Sequence, residues 1–375
     1  MKKNSKKILF FVNSLDFFVS HRLPLIGLAK DMMIDPVVCA PLKKIRKDEL
    51  KELNLNLINI DIMRSRKNLI YELLLIFQLT KIIIKEKPSL VHLITIKPVL
   101  YGGIISFFFR RIKFISSITG LGSSLLENNF SSFLVKFIYK ITTFSKNINF
   151  IVQNEDDKKF LLKLNNKILN KIFLIPGSGY NKKLFYFSPE KKQKPVICFA
   201  GRLLKHKGIY EFIEAIKKLR KKKYDNEFII AGKIDNLNPS SISIEELKNW
   251  EKENLIKYIG FQKNLSEFFK SINIFVMPSY REGFSKVLLE AAACGKAIVT
   301  TNVPGCRDII KDSVGGLLVE AGDSENLSQS IELLINQKDL RSKYGKSCAD
   351  FVIKNFTIEK ILSNYKKLYF KLLNV

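Results

Sequence analysis

At 375 residues, 46% of them apolar, the chain is longer than one hydrophobic core usually serves and carries material for two. Its 63 Lys and Arg against 35 Asp and Glu give a formal charge of +28, which calls for an anionic partner: nucleic acid, a lipid surface or a phosphorylated substrate. The five cysteines, Cys39, Cys198, Cys294, Cys306 and Cys348, show no paired or metal-type spacing, so they read as small hydrophobes in a reducing cytoplasm.

Residues 1–190 hold 31 basic and 14 acidic side chains, residues 191–375 hold 32 and 21. The opening "MKKNSKKILFFVNS" has the charge of a signal peptide, but its apolar run, 8–12, is a first strand rather than a signal's apolar core. Further strands are expected at 37–40, 57–60, 90–94, 114–118, 148–152 and 172–175, with helical stretches between most of them. The longest apolar stretch, "LIYELLLIFQLTKIII" at 69–84, is interrupted by Glu72, Gln78 and Lys81 and is too short and polar to span a bilayer.

The polar, proline-bounded "YFSPEKKQKP" at 186–195 reads as a linker. A second series of strands follows at 196–200, 228–231, 256–259, 274–277 and 297–301. Such alternation predicts two α/β domains, 1–190 and 191–355, each a doubly wound parallel sheet covered by helices on both faces. A ligand is expected beyond the carboxyl ends of the strands, in a cleft between the domains. The tail 356–375, "FTIEKILSNYKKLYFKLL" and two further residues, is an amphipathic helix with nothing left to cover in its own domain, and it is expected to cross back to the first.

After the second domain's first strand comes "AGRLLKHKG", 200–208. Gly201 lets the backbone approach a ligand, and Arg202 and Lys207 set a bidentate fork and a point charge at the mouth of a helix. A helix start with two cations suits a diphosphate. Farther on, "FVMPSYREGFSKVLLEAAACGKAIVTTNVPG" ends a strand near Ser279, turns through Glu282, Gly283 and Phe284, and starts a helix near Ser285. Glu282 precedes that helix, where its carboxylate can accept hydrogen bonds from sugar hydroxyls. Glu290 lies two turns in, flanked by Leu289 and Ala291, and can take both hydroxyls of a ribose.

Read together, these segments and "GGLLVEAGD" at 315–323 resemble glycosyltransferase family 4, with looser support from "HRLPL" and "IPGSGYNKKLF" in the first half. The resemblance implies the GT-B fold, two Rossmann-like domains, and a retaining transfer of sugar from a nucleotide-sugar. It implies that Arg202 and Lys207 hold the donor diphosphate, Glu290 the ribose and Glu282 the transferred sugar, with Gly201, Gly283, Phe284 and Ser285 completing the donor site. One departure stands out: Tyr180-Asn181 occupy the place where relatives often read Gly-x-Asp. The sequence contains no Asp-x-Asp, so no metal or other cofactor is expected, and the cations and helix-start amides are expected to meet the leaving diphosphate.

The resemblance further implies UDP as the usual nucleotide, an N-acetylhexosamine as the sugar and a polyprenyl-diphosphate-linked saccharide as acceptor. Acceptor candidates are His21 and Arg22 at a loop-to-helix boundary, Lys97 after the fourth strand, and Gly120 and Gly122 in the glycine loop "SITGLGSS". His92 is weighed there too, against a buried structural role. "SFFFRRIKF" at 106–114 and "SSFLVKFIYK" at 131–140 mix aromatics with cations as a surface resting on anionic lipid does, so a peripheral place on the inner face of the cytoplasmic membrane is expected. Competing readings are a nucleotide-sugar epimerase of the same architecture, a catalytically silent scaffold and a nucleic-acid-binding protein. The last is disfavoured because the charge is diffuse and no reader motif is present, and a dehydrogenase because no Gly-x-Gly-x-x-Gly follows the first strand.

Overall fold

The computed structural model describes residues 6–42, 47–62, 69–120, 130–190, 194–235, 238–310 and 315–374. The chain divides into one unit of Met1–Ser178 with Ile361–Val375 and another of Gly179–Lys360.

In the first unit, β1 (Lys7–Val12), β2 (Asp35–Ala40), β3 (Asn56–Asn59), β4 (Leu90–Ile94), β5 (Lys113–Ser117), β6 (Ile148–Val152) and β7 (Ile172–Leu174) form one parallel sheet in the order β3-β2-β1-β4-β5-β6-β7. The connecting helices are α1 (Leu15–Arg22), α2 (Pro24–Asp31), α3 (Lys47–Glu52), α4 (Leu69–Glu86), α5 (Ile96–Ile105), α6 (Phe130–Thr142) and α7 (Glu155–Leu164). Because helices cover both faces, β4 reads as an unbroken buried run rather than an alternating one. Side chains of α4, α5, α6 and α7 pack with one set of strand residues, and α1 and α2 with the other. Each fully buried Leu, Ile or Phe in these layers contributes about 1.5–3 kcal/mol.

The second unit repeats the plan with β8 (Ile197–Ala200), β9 (Phe228–Ala231), β10 (Lys257–Tyr258), β11 (Ile274–Met277), β12 (Ala297–Thr301) and β13 (Gly316–Val319), all parallel, in the order β10-β9-β8-β11-β12-β13. Its helices are α8 (Ile209–Lys221), α9 (Ile244–Lys252), α10 (Leu265–Lys270), α11 (Lys286–Ala293), α12 (Ser324–Asn336) and α13 (Lys338–Asn355). Local chemistry sets several starts: Ser243 and Glu246 form a reciprocal capping box on α9, and Asn264 and Asp323 cap α10 and α12. β13 is a strand the sequence reading does not contain.

The last helix, α14 (Ile358–Leu373), starts in the second unit and from Ile361 belongs to the first, so the expected crossing is present. It buries Ile361, Tyr365, Leu368, Tyr369 and Leu373, one helical face, beside the residues of α1 and α2. There Tyr369 meets His92, whose Nδ1 lies 2.8 Å from the tyrosine hydroxyl and whose Nε2 lies 2.7 Å from Ser117 Oγ. His92 is therefore a satisfied core residue, and burial lowers its pKa well below the ordinary range.

Of the segment read as a linker, the described residues 186–190 and 194–195 lie inside the second unit. The Ser188 amide donates to the Cys294 carbonyl, and Glu190 pairs with the buried Arg341 at 2.6 Å. The change of unit comes earlier, where Tyr180 and Phe356–Ile358 run side by side with backbone hydrogen bonds at 3.1 Å. Gly179 takes φ +71° there, and a Cβ would stand 2.8 Å from Ile358. Tyr180 is buried, and the Asn181 side chain accepts from the Lys183 amide, closing a turn. The unusual Tyr180-Asn181 pair thus shapes this crossing. All five cysteines are free and buried.

Candidate active site

In the second sheet the chain leaves β8 toward β9 and β10, then returns at β11 and continues the other way through β12 and β13. The loops after β8 and β11 therefore diverge, and a ligand crevice forms at such a reversal. Both charged motifs lie on these loops.

After β8, Gly201 donates its amide to Ala231, and a short 3-10 turn, Lys205–Lys207, leads to Gly208 and α8. Gly208 has φ +78°, and a Cβ would collide with the Pro278 carbonyl just past β11. Glycine is required because the start of α8 sits directly against the second loop.

After β11, the loop is pinned from below. Thr301 Oγ1 donates to the Ser279 carbonyl, the Glu282 amide to Pro304, and the Ser285 amide to Gly305. Gly305 has φ +79°, and a Cβ would stand 2.6 Å from the Glu282 carbonyl oxygen. Ser285 precedes α11 but does not cap it, because its hydroxyl turns inward to Met277 Sδ at 3.1 Å. The Phe284 ring packs against Phe356, centroids 5.0 Å apart. Phe284 and Ser285 therefore engage the core with their side chains and offer a ligand chiefly their backbone.

The charged groups divide sharply by environment. Arg202 is exposed and makes no hydrogen bond or ion pair among the described residues. Lys207 and Glu282, both largely shielded from water, form an ion pair, and Ser279 Oγ donates to the same carboxylate oxygen at 2.9 Å. Beside them, His206 has its pKa held below the ordinary range by burial and then by the Lys207 cation. Glu290, on α11, is only 5% exposed, with the Lys286 ammonium 3.7 Å away. Burial pushes its pKa up to about 7, against the partial pull of Lys286. A glutamate solvated on a helix surface would show neither property.

Three participants escape the sequence reading. Ser279 orients Glu282, Gly305 supports it from beneath, and His206 lies between Arg202 and Lys207. A Pro-Gly dipeptide at Pro304-Gly305 and the histidine within "LLKHKG" are the signals that mark two of them.

The acceptor candidates lie in the first unit and differ from expectation in detail. His21 and Arg22 close α1 rather than open a helix. The His21 ring stacks on Phe17 at 4.4 Å, with Nδ1 2.7 Å from Ser20 Oγ. Arg22 is buried; its Nη1 donates to the Gly177 carbonyl at 2.9 Å, and its guanidinium faces the Tyr365 ring at 5.8 Å. Lys97 pairs with Glu72 at 2.8 Å, and Tyr101 donates to the same carboxylate. Gly120 follows β5 with φ +104°, while Gly122 lies outside the described residues. Thr95, at the end of β4, adopts φ +77°, a strained value for a β-branched residue, beside the β1/β4 reversal of this sheet.

Among known protein families, residues 7–154 match the model "Glycosyl transferase 4-like" and residues 181–350 the model "Glycosyl transferases group 1". The chain is 31% identical to the N,N'-diacetylbacillosaminyl-diphospho-undecaprenol alpha-1,3-N-acetylgalactosaminyltransferase of Campylobacter jejuni, over 94% of this chain and 97% of that one. Among solved structures, the sucrose-phosphate synthase of Thermosynechococcus elongatus superposes with a TM-score of 0.83 at 18% identity, covering 98% of this chain and 99% of the other. Anabaena HepE in complex with UDP and glucose gives 0.76 at 18% identity, covering 99% and 100%.

Proposed function

This chain belongs to glycosyltransferase family 4 and has the GT-B fold, and from that premise we propose that it moves a sugar from a UDP-sugar to a saccharide carried on polyprenyl diphosphate. The observation that carries this reading is the pair of diverging loops that set Arg202 and the Lys207–Glu282 pair at the mouths of α8 and α11, with Glu290 buried behind. The activity of the 31% identical relative supports an N-acetylhexosamine as the sugar and an undecaprenyl-diphosphate saccharide as acceptor, and the HepE complex supports UDP.

Departure of a nucleoside diphosphate builds negative charge on its terminal phosphate. Arg202 and Lys207 neutralise it in place of a metal bridge, and the acceptor hydroxyl attacks the sugar on the face the diphosphate leaves, so that configuration is retained. In the unliganded protein the Lys207 ammonium is held by Glu282. Binding of the diphosphate gives the ammonium a second anion and frees the Glu282 carboxylate to accept hydrogen bonds from sugar hydroxyls.

An exchange of partners predicts a split effect for Glu282→Gln. UDP alone should bind several-fold tighter, an effect of about 1 kcal/mol, because the ammonium is no longer shared. Turnover should nevertheless fall, since the hydroxyl acceptor is weakened. Titration calorimetry with UDP beside steady-state kinetics reads both, and weaker UDP binding in the variant would rule the exchange out.

The reaction itself is tested by offering UDP- and GDP-sugars to the purified protein in excess chelator, with and without a polyprenyl-diphosphate saccharide. Release of UDP from one donor only when acceptor is present is expected. Release that ignores the acceptor, or interconversion of the donor sugar, would replace the transferase reading with hydrolysis or epimerisation.

A further inference from the structure

We propose that the outer face of α4 and α6, with the turn that follows α5, is a docking surface for an anionic lipid bilayer. α4 is apolar on two sides. Its inner row, Leu75, Leu79 and Ile83, is buried against the sheet. Its outer row, Ile70, Leu73, Leu74, Phe77 and Ile84, is 54–69% exposed. A helix that covers a sheet ordinarily turns charged and polar residues outward, so a second apolar row in water exceeds what covering the sheet requires.

α6 repeats the pattern on the same side of the sheet, with α5 between them. Phe133, Leu134, Phe137 and Ile141 face outward at helical spacing, and Phe144 follows. After α5, Phe107 and Phe108 also project, the latter 80% exposed. Half of the large hydrophobic side chains exposed on the described surface of the whole chain belong to these three segments.

Charge selects the occupant. Lys81 and Lys85 lie along the outer side of α4, Arg110, Arg111 and Lys113 follow the Phe107–Phe108 pair, and Lys140 and Lys146 border α6. Over residues 69–86, 106–113 and 130–146 the acids are Glu72 and Glu86, and these are engaged by Lys97 and Lys7. The Lys81 ammonium lies 4.4 Å from the centre of the Phe77 ring, its stem along the apolar surface and its charge at the rim. At one end of the face, an open recess is edged by Lys6, Lys87, Arg111 and Lys113 over Ile84 and Phe109, a cluster of cations suited to lipid phosphates.

Apolar side chains that enter the acyl boundary, ringed by cations that meet headgroup phosphates, match an anionic membrane on both counts. Nucleic acid would answer the cations but leave the Leu, Ile and Phe rows unburied. A second copy of the chain would bury those rows but bring like charges together across a two-fold axis.

Docking can be read without donor or acceptor. The full-length protein is sedimented with vesicles of phosphatidylcholine alone and with vesicles containing one part in three phosphatidylglycerol. Partition onto the anionic vesicles should be at least 10-fold stronger and should weaken with salt. The variant Phe77→Ser/Phe133→Ser/Phe137→Ser should lose at least 10-fold of it while still binding UDP. Because that variant touches two helices, Phe108→Ser is run beside it and should lose several-fold through a side chain that is almost wholly in water. Equal partition onto both vesicle types, or unchanged partition in Phe108→Ser, would overturn the proposal. So would a lipid-free dimer, seen by light scattering, that the phenylalanine substitutions dissociate.

Discussion

Arg202→Ala is expected to lower turnover by about 10²–10³ while leaving stability within about 0.5 kcal/mol. The two halves of that expectation have one cause. Arg202 is exposed and has no partner among the described residues, so removing it deletes nothing that holds the unit together. In the proposed reaction its position after β8, at the reversal of strand order, assigns it to the leaving diphosphate. Lys207→Ala should cost turnover to a similar degree but should also destabilise, by about 1–3 kcal/mol, because it leaves the shielded Glu282 carboxylate with Ser279 as its remaining donor. Kinetics with saturating donor and thermal melts of both variants check the pair. Unchanged turnover in both would remove the two cations from the chemistry and leave the charge on the leaving diphosphate to other groups.

How far the sequence reached depends on how local each interaction is. Buried parallel strands are continuous apolar runs between turn signals, and twelve of them were readable within a residue or two at their ends. β13 was not, because "GLLV" is a four-residue run beside glycines, and its pairing with β12 is what makes it a strand. The motifs around Arg202 and Glu282 were legible as charge at helix starts, yet the ion pair between Lys207 and Glu282 joins positions 75 residues apart and follows only from the adjacency of β8 and β11. The same holds for Glu190 and Arg341, 151 residues apart, whose pairing turns an apparent linker into part of a folded unit. α4 presents a different obstacle. Where both sides of a helix are apolar, periodicity cannot tell which side is buried, so the stretch at 69–84 looked only like a failed membrane span.

Glu290→Gln should weaken UDP binding by about 10–100-fold at pH 8, the loss expected when a buried carboxylate that accepts two ribose hydroxyls becomes an amide. The structure adds a pH signature that a simple packing role would not give. Burial raises the Glu290 pKa from 4.5 to about 7, so the folded protein holds this proton where the unfolded chain has lost it. The sign follows from that: with both states protonated below about pH 4.5 there is no penalty, stability falls as pH rises from there to about 7, and above 7 the cost is constant at about 3 kcal/mol. The Gln variant has no such titration, so its melting temperature relative to wild type should climb between pH 5 and 7 and then level. Affinity should move the opposite way. UDP needs the ionised acceptor, and wild-type binding should therefore weaken as pH falls through about 7, a trend absent from the variant. Phosphate ionisation near pH ~6 acts on both proteins alike, so their ratio isolates the carboxylate. A ratio of affinities that stays flat from pH 5.5 to 8 would mean that Glu290 is buried for packing and never meets the ribose.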